Sequence, residues 1–222
     1  MNAITTLLRK DLLVEYRSRD TFVTTLFFGL LVLVVGNFAL STAGENLPLF
    51  APGVFWIAFF FSGLLFLNHI LAAEKEENTI AGLLLSPLTP GHIFLGKMLS
   101  ATTFLVALEL ILLPVFYLLF NYSPDANTIW LALVILLVAG GYSSLGVLFS
   151  TMALGLKNRE VLLSVILFPI LLPLLIMAVK SSIILLNHLP LEQFYLWLKM
   201  ILTFDTIFVI LSYWSYFWIL EA

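Results

Sequence analysis

The stretch of this 222-residue chain that most resembles a catalytic motif is a near match to a phosphate-binding loop. Residues 91–98 read GHIFLGKM, which gives two glycines and Lys97 at P-loop spacing. Met98 stands where a hydroxyl would bind Mg²⁺, and prolines precede the motif where a buried strand is needed. The sequence therefore predicts no catalytic residue here, and any ATP should be bound by a partner chain.

Two carboxylates, Glu109 and Asp205, fall inside long apolar stretches. A charge at the centre of a membrane helix costs roughly 2.5–3.5 kcal/mol, so such residues should face a bundle interior or a cavity. Two interpretations stay open: a translocation path, proton site or hinge, or a protonated packing contact. The packing contact is favoured for Asp205, which is expected close to the outer surface, a turn or two from Lys199.

The three histidines, His69, His92 and His188, have no metal-binding spacing, and the chain has no cysteine. The pattern therefore predicts no metal site and no firmly bound cofactor. His69, near one end of an apolar stretch, is a candidate axial ligand for haem iron. His188, in a loop, is a candidate for outward ligand chemistry. The alternative for both is an ordinary interface residue.

The composition indicates that lipid is the solvent. Hydrophobic residues make up 62% of the chain, charged residues only 10%, and the mean hydropathy is +1.11. Soluble domains carry about 25% charged residues. The net charge of −3, without a long basic block, argues against nucleic acid as a partner.

Continuous apolar stretches predict an all-α integral membrane protein with a single transmembrane domain, 1–222. Strands are excluded because an open sheet edge cannot be satisfied in lipid. The predicted spans lie at about 22–40, 51–73, 98–120, 129–151, 161–180 and 200–220. Residues 181–198 are too polar and interrupted to span, and we expect them to dip into the outer leaflet.

Residues 1–20 are predicted to form an amphipathic helix in the membrane interface. Ile4, Leu8 and Leu12 repeat every four residues, with Arg9 and Lys10 on the other side. Such a helix is either an elbow that clamps a moving bundle or a simple topology anchor.

Lysine and arginine predict that both termini are cytoplasmic. The side that carries the termini holds Arg9, Lys10, Arg17, Arg19, Lys75, Lys97, Lys157 and Arg159. The other side has only Lys180 and Lys199.

The cytoplasmic loop at 74–97 is predicted to contain a short amphipathic helix between an acidic run and prolines. Asn78 or Thr79 suits its N-cap. Its apolar stripe suits a groove on another protein, and the alternative is a helix folded back on the membrane. The candidate docking residues are Glu74, Glu76, Glu77, Thr79, Ile80, Leu83 and Leu84.

The fourth and fifth spans are predicted to lie inside the bundle. The fourth contains the small-residue pairs Gly140/Ser144 and Gly146/Ser150, which permit close helix approach. Pro169 and Pro173 interrupt the backbone of the fifth, which is tolerated only against protein or a wet cavity.

Several motifs together resemble the CcmB family, the haem-exporter permeases of cytochrome c maturation. They are APGVFW at 51–56, ENTIAGLLLSPL at 77–88, LGK at 95–97, GLKNR at 155–159 and LFPILLP at 167–173. The loop motif is also similar to that of ABC-2 type permeases in general. The resemblance implies an ABC-2 type permease in the bacterial inner membrane.

The resemblance also implies partners. These would be a CcmA-like ATPase that binds the ATP and receives the helix around 79–85 as a coupling helix, the proteins CcmC, CcmD and CcmE, membrane lipid, and a second copy of the permease. The cargo would be haem, or the energy would release haem-loaded CcmE. Two alternatives stay open: an ABC-2 exporter subunit for a lipid, glycan or drug, and a non-transporting scaffold for cytochrome assembly.

Overall fold

The computed structural model describes residues 3–18, 20–76, 88–153 and 159–221, and this part of the chain contains helices but no strand. The helices are α1 (Ala3–Ser18), α2 (Asp20–Ala39), α3 (Leu47–Glu76), α4 (Pro90–Leu119), α5 (Asn127–Ala153), α6 (Arg159–Leu186) and α7 (Leu191–Glu221), with a 3₁₀ turn at Gly44–Asn46. Six of them, α2 to α7, are long and apolar enough to cross a membrane. The predicted fold class is therefore confirmed.

The last two membrane helices are longer than the sequence predicts. Residues 181–186 complete α6, and residues 191–198 form the first two turns of α7. The expected dip of 181–198 into the outer leaflet is therefore wrong. Helices of 28 and 31 residues exceed the roughly 20 residues that a bilayer requires, so their polar ends can extend beyond the apolar layer.

Contacts along the helices define two ends of the bundle. Parallel helices α2 and α4 meet where Phe22 packs on Phe104 and where the Asn37 amide donates to the Leu119 carbonyl. One end holds the starts of α2, α4 and α6 and the ends of α3, α5 and α7. We call it the terminal end, because the first membrane helix begins there and the last one ends there. The opposite end holds the connections after α2, α4 and α6.

The centre of the bundle is α5, as its small residues predict. In the most apolar window of α5, 72% of residues are buried, against 17% for α2 and 11% for α7. The value for α6 is 44%, and both of its prolines lie on its exposed side, so α6 is less interior than the prolines suggested. The exposed faces of α2 and α7 are left for lipid or for other chains.

The predicted amphipathic helix at the N-terminus is present as α1, and it packs on another helix. Leu7 is buried against Gly96 of α4, where a Cβ added to the glycine would lie 3.0 Å from the leucine side chain. One turn further along both helices, Ser100 Oγ donates to Asp11 Oδ2 at 3.4 Å. The helix α1 is therefore joined to the first half of α4.

Candidate functional site

The residues that resemble a P-loop form the first turns of α4. Thr89 caps this helix by accepting a hydrogen bond from the backbone N–H of His92, and Pro90 occupies its first turn. Gly91 lies against the ring of Tyr213, as Gly96 lies against Leu7. Both glycines therefore serve close side-chain packing in a regular helix. A P-loop would instead cradle phosphate in a loop between a strand and a helix.

Two of the seven candidate docking residues belong to the described part of the chain. Glu74 and Glu76 belong to the last turn of α3. The remaining five, Glu77, Thr79, Ile80, Leu83 and Leu84, lie outside the described residues, so their amphipathic helix stays a prediction. The chain resumes at Leu88, directly before the cap of α4.

The helix that follows this segment contacts most of the bundle. At the terminal end, the ring of Phe94 packs on Tyr216 of α7, with centroids 5.4 Å apart. Further along, Phe104 stacks on Phe66 of α3 at 3.6 Å, and Leu112 lies against Gly29 of α2. Together with the contact to α1, these contacts join α4 to four other helices.

Glu109 occupies the interior side of α4. Its side chain is fully buried, and neither carboxyl oxygen has a hydrogen-bond partner within the part of the chain that the structure describes. Leu105 and Leu113, one turn away on either side, are also buried. Glu109 therefore faces the bundle interior, as predicted, and the described residues offer its carboxyl no hydrogen-bond partner there.

Asp205 lies near the middle of α7, deeper than the sequence predicts, because α7 already begins at Leu191. Its Oδ1 is directed at Gly141 of α5 so closely that a Cβ on this glycine would overlap it. Leu174 of α6 borders the same point. Asp205 therefore fills a junction of three helices, and its expected position close to the outer surface is wrong.

The candidate ligand His188 lies at the opposite end, in the four-residue turn between α6 and α7. Its Nδ1 is 3.5 Å from Asp125 Oδ2 and 3.3 Å from Asn127 Nδ2, and 70% of its side chain is exposed. The other candidate, His69, belongs to α3, and the structure describes only its backbone. His92 is at the terminal end, with Nδ1 2.6 Å from Thr89 Oγ1.

A polar network around His188 joins three connections of the bundle, and the sequence did not predict it. The Asn187 amide donates to the Pro48 carbonyl at 3.1 Å, and the Tyr122 hydroxyl donates to the same oxygen at 3.2 Å. The Asn127 amide donates to the Leu185 carbonyl at 3.0 Å. Burial, with a smaller effect from Tyr117, raises the pKa of Tyr122 to about 12, so this hydroxyl stays a donor at neutral pH.

Groups of three or more metal-ligating side chains are absent from the described ranges. The site thus consists of the buried carboxyl of Glu109 and the partly exposed carboxyl of Asp205 in the membrane helices, the predicted docking segment at the terminal end, and a histidine-containing polar network at the opposite end. Six apolar helices around a partly polar interior define a multi-pass α-helical membrane protein.

Residues 2–217 match the family model described as CcmB protein, so the chain belongs to the CcmB family, as its motifs predicted. It is similar to Heme exporter protein B of Paracoccus denitrificans, with 31% identity over 176 residues, 79% of this chain and 80% of that protein. Heme exporter protein B of Pseudomonas aeruginosa is 25% identical over 197 residues, 89% and 88% of the two chains. The protein of the same name from Escherichia coli K12 is 27% identical over 84% of each.

Proposed function

We propose that this chain is the permease subunit of a haem exporter in cytochrome c maturation. It spans the bacterial inner membrane and couples ATP hydrolysis by a separate CcmA-like ATPase to haem export or to release of haem-loaded CcmE. The supporting observation is the family match, which covers the chain from residue 2 to residue 217 and includes the predicted docking segment. Relatives named Heme exporter protein B cover most of the same chain.

In this proposal the terminal end of the bundle faces the cytoplasm. The sequence supports this orientation because most of the lysines and arginines belong to that end. The ATPase then docks at the segment between α3 and α4, and CcmC, CcmD and CcmE associate with the membrane and outer surfaces. The exposed faces of α2 and α7 have the apolar character that a second permease or a membrane partner requires.

The coupling route that we propose starts in the docking segment and continues through α4. The capped start of α4 directly follows this segment in sequence. A displacement of the segment would therefore move the start of a regular helix. Packing of α4 on α5 and on α1, α2, α3 and α7 then distributes the displacement over the bundle. The contact between Leu7 and Gly96 supports the elbow interpretation of α1, because an anchor in lipid alone would not need it.

The test of this proposal is a charge introduced into the apolar stripe of the docking segment. We expect Leu83→Glu and Leu84→Glu together to abolish co-purification with the ATPase, because a buried carboxylate without a partner opposes docking. ATPase turnover of the complex should fall to the level of the isolated ATPase. The matched control is Leu191→Glu, a partly exposed leucine at the opposite end, which should leave both measurements unchanged.

Two results would count against the proposal. Co-purification and turnover that survive the double substitution would exclude the segment as the coupling element. Intact co-purification with turnover that does not respond to haem-loaded CcmE would instead favour a scaffold without a transport step.

A further inference from the structure

We infer that α1 carries a binding site for one anionic phospholipid, in which Arg9 pairs with the headgroup phosphate and an acyl chain lies along neighbouring leucines. The site belongs to the membrane leaflet at the terminal end of the bundle, whichever side of the membrane that leaflet faces. The inference goes beyond the proposed function, because neither an ATPase nor haem is needed to occupy the site.

Two sides of α1 have different surroundings. One side packs on α4 through Leu7, which lies against Gly96. Another side carries a shallow groove with a volume of about 420 Å³. The groove is lined by Thr5, Leu8, Arg9, Leu12 and Leu13. The first four of these have the i, i+3, i+4, i+7 spacing of a single helix face, which does not include Leu7. The groove therefore lies on a face of α1 that differs from the one packed on α4.

The groove combines an apolar surface with one cation. Leu8 and Leu12 are half-buried, and Leu13 is exposed. Arg9 is exposed and forms no hydrogen bond or ion pair with the residues that the structure describes. A guanidinium pairs well with phosphate because its N–H groups form a planar fork, and leucine side chains suit an acyl chain. The groove thus offers one partner to each part of a phospholipid.

The neighbouring cation, Lys10, is in a different position. Its Nζ is 3.5 Å from Asp11 Oδ1, and Asp11 also accepts a hydrogen bond from Ser100 of α4. Lys10 is therefore paired with a carboxylate, and it does not line the groove. The positive charge without a described partner is that of Arg9. This charge favours an anionic lipid over a zwitterionic one, since basic residues at a membrane surface attract anionic headgroups.

The position of α1 along the bundle agrees with a lipid ligand. The residues of α4 that α1 contacts, Gly96 and Ser100, belong to the second and third turns of that helix. His92 and Lys97 are the last ionisable residues of α4 before Glu109. The level of α1 is therefore where α4 changes from polar to apolar, which is where headgroups meet acyl chains. Both parts of a phospholipid can reach the groove from there.

The test measures lipid bound to the full chain in uncharged detergent, without ATPase or haem, by native mass spectrometry. The probes are phosphatidylglycerol and phosphatidylcholine with identical acyl chains. We expect one phosphatidylglycerol to bind the wild type about fivefold more tightly than phosphatidylcholine, and Arg9→Gln to abolish this preference, because one cation near anionic lipid contributes about this factor. The matched control is Lys10→Gln, which removes the same charge one residue further along and should keep the preference.

Two further variants separate the charge from the apolar surface and from loss of the fold. Arg9→Lys keeps the charge but not the planar fork, so it should retain part of the preference for phosphatidylglycerol. Leu12→Gln should weaken both lipids by a similar factor, roughly threefold, since it removes apolar surface and leaves the charge unchanged. Leu191→Gln, a partly exposed leucine at the opposite end, should change neither affinity.

Three results would overturn the inference: equal affinity of the wild type for the two lipids, a preference that survives Arg9→Gln, or an equal loss in Lys10→Gln. Unchanged lipid binding together with lost ATPase co-purification in Arg9→Gln would assign the groove to a protein instead. The permease proposal is tested separately by the Leu83→Glu and Leu84→Glu substitutions. Loss of ATPase coupling in a chain that keeps its lipid preference would refute that proposal alone.

Discussion

Glu109 and Asp205 are both carboxyls in the middle of the membrane bundle, but their surroundings differ. Glu109 is fully buried on α4, and neither of its oxygens has a hydrogen-bond partner in the described ranges. Asp205 on α7 is partly exposed, and only its Oδ1 is both buried and unpartnered there. One carboxyl is thus enclosed by apolar packing, whereas the other lies at the edge of a helix junction.

The helices that carry the two residues explain the difference. The interior side of α4 packs on several helices, so a residue there has no route to the surface. The helix α7 packs closely on one side, where Gly141 and Leu174 meet Asp205, while much of the rest of α7 is exposed. A charge at Glu109 therefore has no hydrogen-bond partner in the described ranges, whereas the exposed side of Asp205 is open to lipid or to another chain.

The largest expected effect is that of the same basic substitution at both positions. We expect Glu109→Lys to lower the free energy of unfolding by more than about 3 kcal/mol, because an unpaired ammonium is trapped in the apolar interior. Asp205→Lys should cost less, since this partly exposed position does not enclose the ammonium on every side. Thermal unfolding in detergent, followed by size-exclusion chromatography, measures both.

The control for this pair is Glu109→Gln, which keeps the volume and removes the ability to ionise. It should stay within about 1 kcal/mol of the wild type. Equal losses from the two lysine variants would contradict the difference in enclosure between the sites.

The next effect concerns the contact between α5 and α7. Gly141→Ala places a methyl group on Asp205 Oδ1 and against Leu174, so the Asp205 side chain or one of the helices must shift. We expect a loss of about 1–3 kcal/mol in the same unfolding assay. The neighbouring Gly140 has no atom within 4 Å of the position of an added Cβ, which makes Gly140→Ala the matched control with little effect.

A double variant shows whether the carboxyl causes this loss. Asp205→Ala should restore most of the stability that Gly141→Ala removes, because it takes away the oxygen that the methyl group would meet. If the two substitutions are additive, backbone contact rather than the carboxyl limits the space at Gly141.

The parts of the fold that follow from hydrophobicity were predictable from the sequence. Apolar length alone identified the membrane helices, since a bilayer imposes that length, and the small residues of α5 indicated its central position. Which residues of neighbouring helices contact each other was not predictable. Gly140 and Gly141 are equivalent in sequence. A Cβ added at Gly141 would meet Asp205, whereas one added at Gly140 would have no atom within 4 Å, and this difference follows only from the packing of the helices.

The candidate site was predictable only in part for a similar reason. His188 and Asp125 are far apart in sequence, and their pairing arises because the connections after α4 and α6 come together at one end. The predicted position of Asp205 was wrong because hydrophobicity does not show where a helix begins among polar residues. Leu191, Glu192 and Gln193 start α7 although two of them are polar.

The smallest expected effect is that of Asp205→Asn. Asparagine has the shape of aspartate, so the contact with Gly141 is kept, and the position is partly exposed. We expect a change below about 1 kcal/mol in the unfolding assay, smaller than that of Gly141→Ala. A loss as large as that of Gly141→Ala would mean that the charge of Asp205, and not its fit into the junction of α5, α6 and α7, stabilises the bundle. The two carboxyls would then differ by ionisation as well as by enclosure.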